Sequence, residues 1–282
     1  MCNPPDWIQE IRLSASDATT LEDVSAQLRA GLAKEQASAR VSDAVQALDA
    51  VPQLLENAGA IIVSNVPVAD DGALIACCTA CGNVVDQGAA GMVYGVAPAT
   101  HGAVARSRSV TAFELHTDSS LDSIPHRFIA LAVVRADPRG GRTLLARLSD
   151  ALERLDEEMI ETLSTVPAPF AWETQSAEEP QVTHQPILAL DGETFHARWR
   201  ADLVRRGCSI TGAPEALLTA IDAVETAFNE VVSVPFPLRA GQVLILDNAR
   251  VLHGRTPVLS QQRELKRLKI HSRLSPQPGS TA

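Results

Sequence analysis

Apolar residues recur at three- and four-residue spacings over Leu21 to Ala33 and again over Val45 to Leu55, the period of amphipathic helices. These stretches predict a helical lead-in over residues 1–58 that packs on the core. Gly59-Ala-Ile-Ile-Val-Ser-Asn-Val-Pro67 reads as a buried strand closed by proline, and Asp70 to Cys81 as a helix opened by acidic capping residues. From Met92 onward short apolar runs alternate with Gly, Pro and Asp: Met92–Val96, Phe113–Leu115, Phe128–Val134, Thr143–Ala146 and Val243–Leu246. That punctuation predicts a β-rich core, interrupted by helices over Ser149–Ser164 and Pro214–Val231. Between them Pro167 to Glu193 is polar, proline-bearing and poorly periodic. A loop of that length inside a compact domain is usually functional or mobile, so it reads as a lid within an insertion of about 167–235. The reading divides the chain into the lead-in, a domain over 59–274 and a disordered tail over 275–282.

Composition changes this picture little. The chain has 282 residues, 45% hydrophobic and 21% charged, ordinary proportions for a soluble enzyme. A formal net charge of -10 disfavours a general nucleic-acid binder, because that affinity comes from Lys and Arg neutralising phosphates. Lysine occurs only at Lys34, Lys266 and Lys269, so carboxylate recognition falls largely to guanidinium groups. No apolar run approaches the roughly 20 residues that span a bilayer, and no signal-peptide pattern opens the chain. No membrane association and a cytoplasmic location are therefore expected; the oligomeric state is left open. Of five cysteines, three crowd into Cys77-Cys78-Thr-Ala-Cys81. A four-sulfur zinc site needs a second pair, which Cys2 and Cys208 do not supply, so these read as small apolar residues on a helix.

Phe113-Glu-Leu-His-Thr-Asp-Ser119 places His116 and Asp118 two apart at the end of an apparent strand, on one face. With 34 acidic residues and seven histidines, roughly one such pair arises by chance. The segment Gly241-Gln-Val-Leu-Ile-Leu-Asp-Asn-Ala-Arg-Val-Leu-His-Gly-Arg-Thr256 raises the signal by bringing His253 on a second strand. Two imidazoles and one carboxylate leave coordination positions open, as in non-haem iron(II) oxygenases. Zinc hydrolases use a similar donor set, but their helical H-E-x-x-H spacing is absent.

Four elements then stand in order: His116-Thr-Asp118, Gly140-Gly-Arg-Thr143, Asn248-Ala-Arg-Val-Leu-His253-Gly-Arg255 and Arg263-Glu-Leu-Lys-Arg267. Together, from about Gly59 to Ile270, they resemble the taurine dioxygenase and clavaminate synthase superfamily of iron(II)/2-oxoglutarate oxygenases. The resemblance implies a mainly β fold with flanking helices, built on a double-stranded β-helix or jelly-roll core. It implies iron(II) on His116, Asp118 and His253, with 2-oxoglutarate as co-substrate and O2 as oxidant. Arg263 would hold the distal carboxylate of 2-oxoglutarate, with the Thr143 hydroxyl beside it and Arg267 nearby, since a planar guanidinium binds carboxylate bidentately. The carboxylate ligand argues against a halogenase, where that position is Gly or Ala.

The activity implied is oxidation of an unactivated C–H in a small polar molecule such as an amino acid or a biosynthetic intermediate. Hydroxylation, desaturation and cyclisation are all open, with succinate and CO2 released. Glu114, two before His116, and Arg198 and Arg200, alternating around Trp199 after the lid, are candidate substrate contacts; Arg106 and Arg108 read as solvated charge. His126, His184 and His271 fall outside the pattern. A non-catalytic sensor or interaction module on the same fold, or a zinc hydrolase, are the rival readings.

Overall fold

The computed structural model describes residues 3–88, 91–99, 106–172 and 180–272. Strand β1 (Gln9–Arg12) leads into helices α1 (Ala15–Arg29), α2 (Lys34–Ala44) and α3 (Val51–Ala58), strand β2 (Ala60–Ser64) and helix α4 (Asp71–Cys78). Strands β3 (Asn83–Val84), β4 (Tyr94–Val96), β5 (Phe113–His116), β6 (Phe128–Arg135) and β7 (Thr143–Arg147) follow. Helices α5 (Leu148–Leu152) and α6 (Glu157–Thr165) precede strands β8 (Ala168–Trp172), β9 (Gln181–Gln185), β10 (Leu188–Asp191) and β11 (Thr194–Ala197). After helices α7 (Ala201–Thr211) and α8 (Glu215–Val231) come β12 (Val243–Asp247), β13 (Val251–Arg255) and β14 (Glu264–His271).

Local chemistry sets several boundaries. Ser14 caps α1 in a reciprocal box: its hydroxyl accepts from the Asp17 N–H and the Asp17 carboxylate accepts from the Ser14 N–H. Asp70 caps α4 by accepting from the N–H groups of Gly72 and Ala73. Helix α3 stops at Gly59, whose φ of 75° suits only glycine comfortably. A Cβ there would also lie 2.7 Å from the Val251 side chain.

Two sheets face each other across the core. The larger runs β1-β2-β12-β6-β14-β3, with β4 also on β14; the smaller is β5-β13-β7. Strands β2 and β12 are buried on both faces, hence their unbroken apolar runs. Their side chains alternate between two cores: Ile61, Val63, Val243 and Ile245 pack outward with helices α1 to α4, while Ile62, Leu244 and Leu246 point inward with Leu145 and Val251 of the smaller sheet. A third cluster, including Trp199, Phe170 and Phe228, packs the other face of the smaller sheet against α5, α6 and α8. Cys77, Cys78 and Cys81 are buried in the outer core, as expected of packing residues, and burial pushes the Cys77 thiol up to about 12. No helix of the described residues is long and apolar enough to cross a membrane.

Four expectations are corrected. The lead-in is not purely helical: β1 pairs in parallel with β2, and its polar Gln9-Glu10-Ile11-Arg12 lacks the apolar alternation that marks a strand. The helix over Ser149–Ser164 is two, because Asp156 accepts a hydrogen bond from the Met159 N–H and starts α6 afresh. The lid over Pro167–Glu193 is, in its described parts, regular sheet: β8 pairs with β9, and β10 with β11. Its polar face conceals a buried one, for Ala168, Phe170 and Ala171 are fully buried and α7 packs so closely that a Cβ on Gly207 would strike the Pro169 carbonyl. Finally, Arg198 and Arg200 do not alternate along one strand, for β11 ends at Ala197 and α7 begins at Ala201. The tail over 275–282 lies outside the described residues.

Because Phe170 fills the third cluster rather than lying in a loop, Phe170→Ala is expected to lower unfolding free energy by about 3–5 kcal/mol in a denaturant titration. A loss below about 1 kcal/mol would return this segment to the periphery.

Candidate metal centre

The site grows from one register. Strand β5 pairs antiparallel with β13 so that His116 stands directly opposite His253, their ring centroids 4.3 Å apart. Asp118 lies just past the end of β5, on the same side. One ligand atom from each of His116, Asp118 and His253 falls within 4.8 Å of the other two.

Protonation states suit a cation. The His116 Nδ1–H donates to the Glu114 carbonyl at 2.8 Å, leaving Nε2 as the free nitrogen, 3.6 Å from Asp118 Oδ1. Burial, then the neighbouring His116, pushes His253 down to about 3, which keeps a lone pair available. Burial opposes ionisation of Asp118, yet its contact with His116 and the Arg267 guanidinium at 3.0 Å hold its carboxyl well below the usual range. His253 Nδ1 and Arg267 Nε are buried with no hydrogen-bond partner among the described residues. A divalent metal on the three donors fits this arrangement.

Backbone hydrogen bonds hold Asp118 in place. The Asn248 side chain accepts from the Asp118 N–H at 2.7 Å and donates to the Asp118 carbonyl at 2.9 Å and the His126 carbonyl at 3.2 Å. Thr117 and Trp199 stitch the preceding residue: the Thr117 N–H donates to the Trp199 carbonyl and the Trp199 N–H to the Thr117 hydroxyl, each at 2.9 Å.

The cavity beside the three donors is lined by Thr143, Arg263 and Arg267, with Leu131, Leu238 and Leu265 supplying apolar wall. Arg263 is buried, and its guanidinium makes no hydrogen bond and no ion pair within 4 Å among the described residues, the Asp137 carboxylate acting on it only from further away. Burial, then the charge of Arg255, pushes it down to about 10, so it stays cationic at neutral pH. The Gly140-Gly141 turn makes room: Gly141 has φ 60°, and a Cβ there would lie 2.8 Å from Arg263 Nε. Asp137 fixes that turn to the approach of β14 by accepting from the N–H groups of Arg139, Leu259 and Ser260. A buried guanidinium lacking a partner and facing a cavity is a receptor for an anion.

Three expected substrate contacts lie elsewhere. Across the β5/β13 pair, His116 and Phe113 oppose His253 and Arg255, three residue steps against two, so β5 carries a bulge. The extra residue upsets the alternation that put Glu114 on the face of His116. Phe113 stacks on His116 instead, with centroids 3.7 Å apart, and Glu114 turns outward to pair with Arg106. Arg198 donates to the carbonyl of Ser120 at 2.9 Å and to that of Asp122. Arg200 pairs with Asp202 through Nε and Nη2, its guanidinium lies over the Phe113 ring at 5.4 Å, and its backbone bridges to His116. None of the three lines that cavity, although Glu114 and Arg200 line a neighbouring one with Phe113 and His116.

Sequence reasoning missed two contributors. Asn248 stood in a quoted motif with no task. Arg255, from the His-Gly-Arg run, donates to the carbonyls of Arg106, Ser109 and Thr111 and so pins that stretch along the cavity. Gly254 between them must be glycine, because a Cβ would lie 2.8 Å from the Phe113 carbonyl in the bulge. A bulge is not written in the local pattern of either strand, so its partner's glycine was the one available signal.

Residues 25–269 match the sequence model of the family described as taurine catabolism dioxygenase TauD, TfdA family. No curated protein sequence is a match. Among solved structures, an asparagine oxygenase in complex with Fe(II), 2S,3S-3-hydroxyasparagine and succinate superposes with a TM-score of 0.75 at 17% identity, covering 93% of this chain and 93% of that chain. The non-heme iron oxygenase OrfP in complex with Fe and alpha-ketoglutaric acid gives 0.68 at 18% identity, covering 93% of this chain and 94% of its own. OrfP in complex with Fe, succinate and (3R,4R)-dihydroxy-L-Arg gives 0.71 at 17% identity, with the same coverage. At such identities the likeness concerns the fold.

Asn248→Ala, which leaves the three donors untouched, is expected to weaken iron(II) affinity about 10–100-fold in a chelator competition, with circular dichroism unchanged. An unaltered affinity would remove Asn248 from the support of Asp118.

Proposed function

The chain belongs to the taurine catabolism dioxygenase TauD, TfdA family, and from that premise we propose that it is an iron(II)- and 2-oxoglutarate-dependent dioxygenase that hydroxylates an unactivated C–H of an amino acid. The reading takes the two facing sheets as a double-stranded β-helix of the jelly-roll type over 59–274, supported by residues 1–58, with the metal at its mouth. The observation that carries it is the buried, partnerless Arg263 in the same cavity as His116, Asp118 and His253. An anion-binding pole beside the metal suits a dicarboxylate co-substrate that reaches from one to the other.

In this reading His116, Asp118 and His253 hold iron(II), and Arg263 with the Thr143 hydroxyl takes the distal carboxylate of 2-oxoglutarate. The bound pair supplies the oxidising chemistry, with O2 consumed and succinate and CO2 released as the substrate C–H becomes C–OH. The chain's own residues bind, orient and exclude water. Arg267 keeps Asp118 ionised and oriented through its 3.0 Å contact, while its buried Nε remains free to donate to a carboxylate beside the metal. Phe113, Leu131 and Leu238 provide the apolar wall that keeps solvent from the reacting carbon. An amino acid is favoured as substrate because the asparagine oxygenase and OrfP structures carry hydroxylated amino acids.

The test is succinate formation by iron-loaded protein given 2-oxoglutarate, O2 and a panel of free L-amino acids. At least one amino acid should stimulate it and emerge heavier by one oxygen. Protein that binds iron and 2-oxoglutarate yet yields no stimulated succinate across the panel would sink the reading. Arg263→Met is expected to raise the Kd for 2-oxoglutarate about 100-fold while iron affinity holds, since it removes one partner of a buried charge pair. Equal loss of both affinities would mean that Arg263 serves the fold instead.

A further inference from the structure

Asn248 holds Asp118, so the place of that ligand depends on what holds Asn248. The residue sits in the tight turn between β12 and β13, which the Arg250 N–H closes by donating to the Asp247 carbonyl at 3.1 Å. Asn248 and Ala249 line a cavity shared with Pro186, Ile187 and Arg198, so side-chain packing does not support the turn on that side. Hydrogen bonds and charge must fix it there.

Asp247, the last residue of β12, gathers much of that support. It is only 1% exposed. Its carboxylate accepts from the Ala249 N–H at 3.1 Å and pairs with the Arg127 guanidinium at 2.7 Å. Arg250 stands further off, at 3.8 Å, and donates to the Glu56 carbonyl instead. Burial pushes the Asp247 carboxyl up to about 6, while Arg127, and then Arg250, oppose the rise. Arg127 is thus the main group keeping a buried carboxylate charged at neutral pH.

Arg127 lies just before β6 and reaches the same turn a second time. Its carbonyl accepts from the Asn248 N–H at 2.9 Å. The other arm of its guanidinium donates to His196 Nε2 at 2.7 Å, in β11. Burial, then the charge of Arg127, lowers the His196 pKa, so that ring nitrogen keeps its lone pair for the contact. Beside it the Ala197 N–H donates to the Ala249 carbonyl at 2.7 Å. Asn248 is therefore flanked by two residues that are each tied down, Asp247 to Arg127 and Ala249 to β11. A planar guanidinium seated between a carboxylate and an imidazole keeps little freedom to turn. With its backbone fixed on both sides, Asn248 meets the Asp118 N–H with its side-chain oxygen and the Asp118 carbonyl with its nitrogen.

We propose that Arg127 is a positioning residue for the metal centre: paired with Asp247 and steadied by His196, it holds the Asn248 turn and thereby the ligand Asp118. The inference rests on the metal site described above and adds a charged support beneath it. Arg127 acts on the donor only through Asn248. It also ties the metal centre to the β10–β11 hairpin, which belongs to the insertion and not to either facing sheet.

Arg127→Met combined with Asp247→Asn removes both charges, so that no buried ion is left unpaired. Iron(II) affinity of this paired variant is measured by chelator competition, once with Asn248 intact and once together with Asn248→Ala. The loss should be about tenfold with Asn248 intact and less than about twofold in the Asn248→Ala background, because a residue that acts through another has no effect once the other is gone. Unchanged affinity with Asn248 intact overturns the proposal, and so does an equal loss in both backgrounds, which would make the pair a support of the whole fold. Metal-free protein gives an independent readout. Exchange of the Asp118 amide hydrogen, bonded to Asn248, should quicken about tenfold in the paired variant while that of Leu268 in β14 stays within about twofold. Equal quickening at both amides, or at neither, overturns the proposal. Protein that binds no iron(II) would remove the metal reading, and the exchange measurement would still decide the role of Arg127.

Discussion

The pairing of β5 with β13 is the constraint from which the rest of the site follows. It sets two imidazoles opposite each other, tilted by 43°, and, through the bulge in β5, brings Phe113 rather than Glu114 against His116. Gly254 is the point where the bulged strand presses closest, so one missing side chain decides which residues share the metal's side. Arg255 then converts the same register into control of the stretch 106–111, whose carbonyls it gathers. Asn248 does the corresponding task for Asp118 from the turn before β13. Donor geometry is thus set by backbone contacts of two adjoining strands and scarcely by the donors themselves.

Electrostatics organises the space around that pair. In a chain of formal charge -10, the cavity is lined by arginines, each in a distinct environment. Arg267 is neutralised by Asp118, Arg255 is saturated by carbonyls, and Arg263 is left without a partner. A buried cation without a partner is costly unless a ligand arrives, so the protein's own bookkeeping identifies where anions belong. It also separates residues that look alike in sequence: Arg198 and Arg200 are as close to the site along the chain as many true contacts, yet carbonyls and Asp202 already occupy them.

Much of this was legible from residue order. Unbroken apolar runs marked β2, β6 and β12, since a strand covered on two faces leaves little room for polar interruption. The donors and the cavity arginines were legible because their chemistry demands particular residue types in a fixed order. The described parts of 167–193 were misjudged because burial there depends on α7 and α8, which arrive later in the chain, and not on any periodicity of β8 or β9.

By itself, then, the sequence determined which residues could serve as metal donors and anion receptors, and that a β-rich core carries them. Only the tertiary structure decided which neighbours join them. A side-chain period of two predicts the face of Glu114 until one extra residue reverses it, and whether a strand bulges is decided by the strand beside it. Partnership of charges is likewise a property of space: nothing local distinguishes Arg263 from the other cations, and only the folded chain shows that it lines the cavity with no ion pair within 4 Å among the described residues.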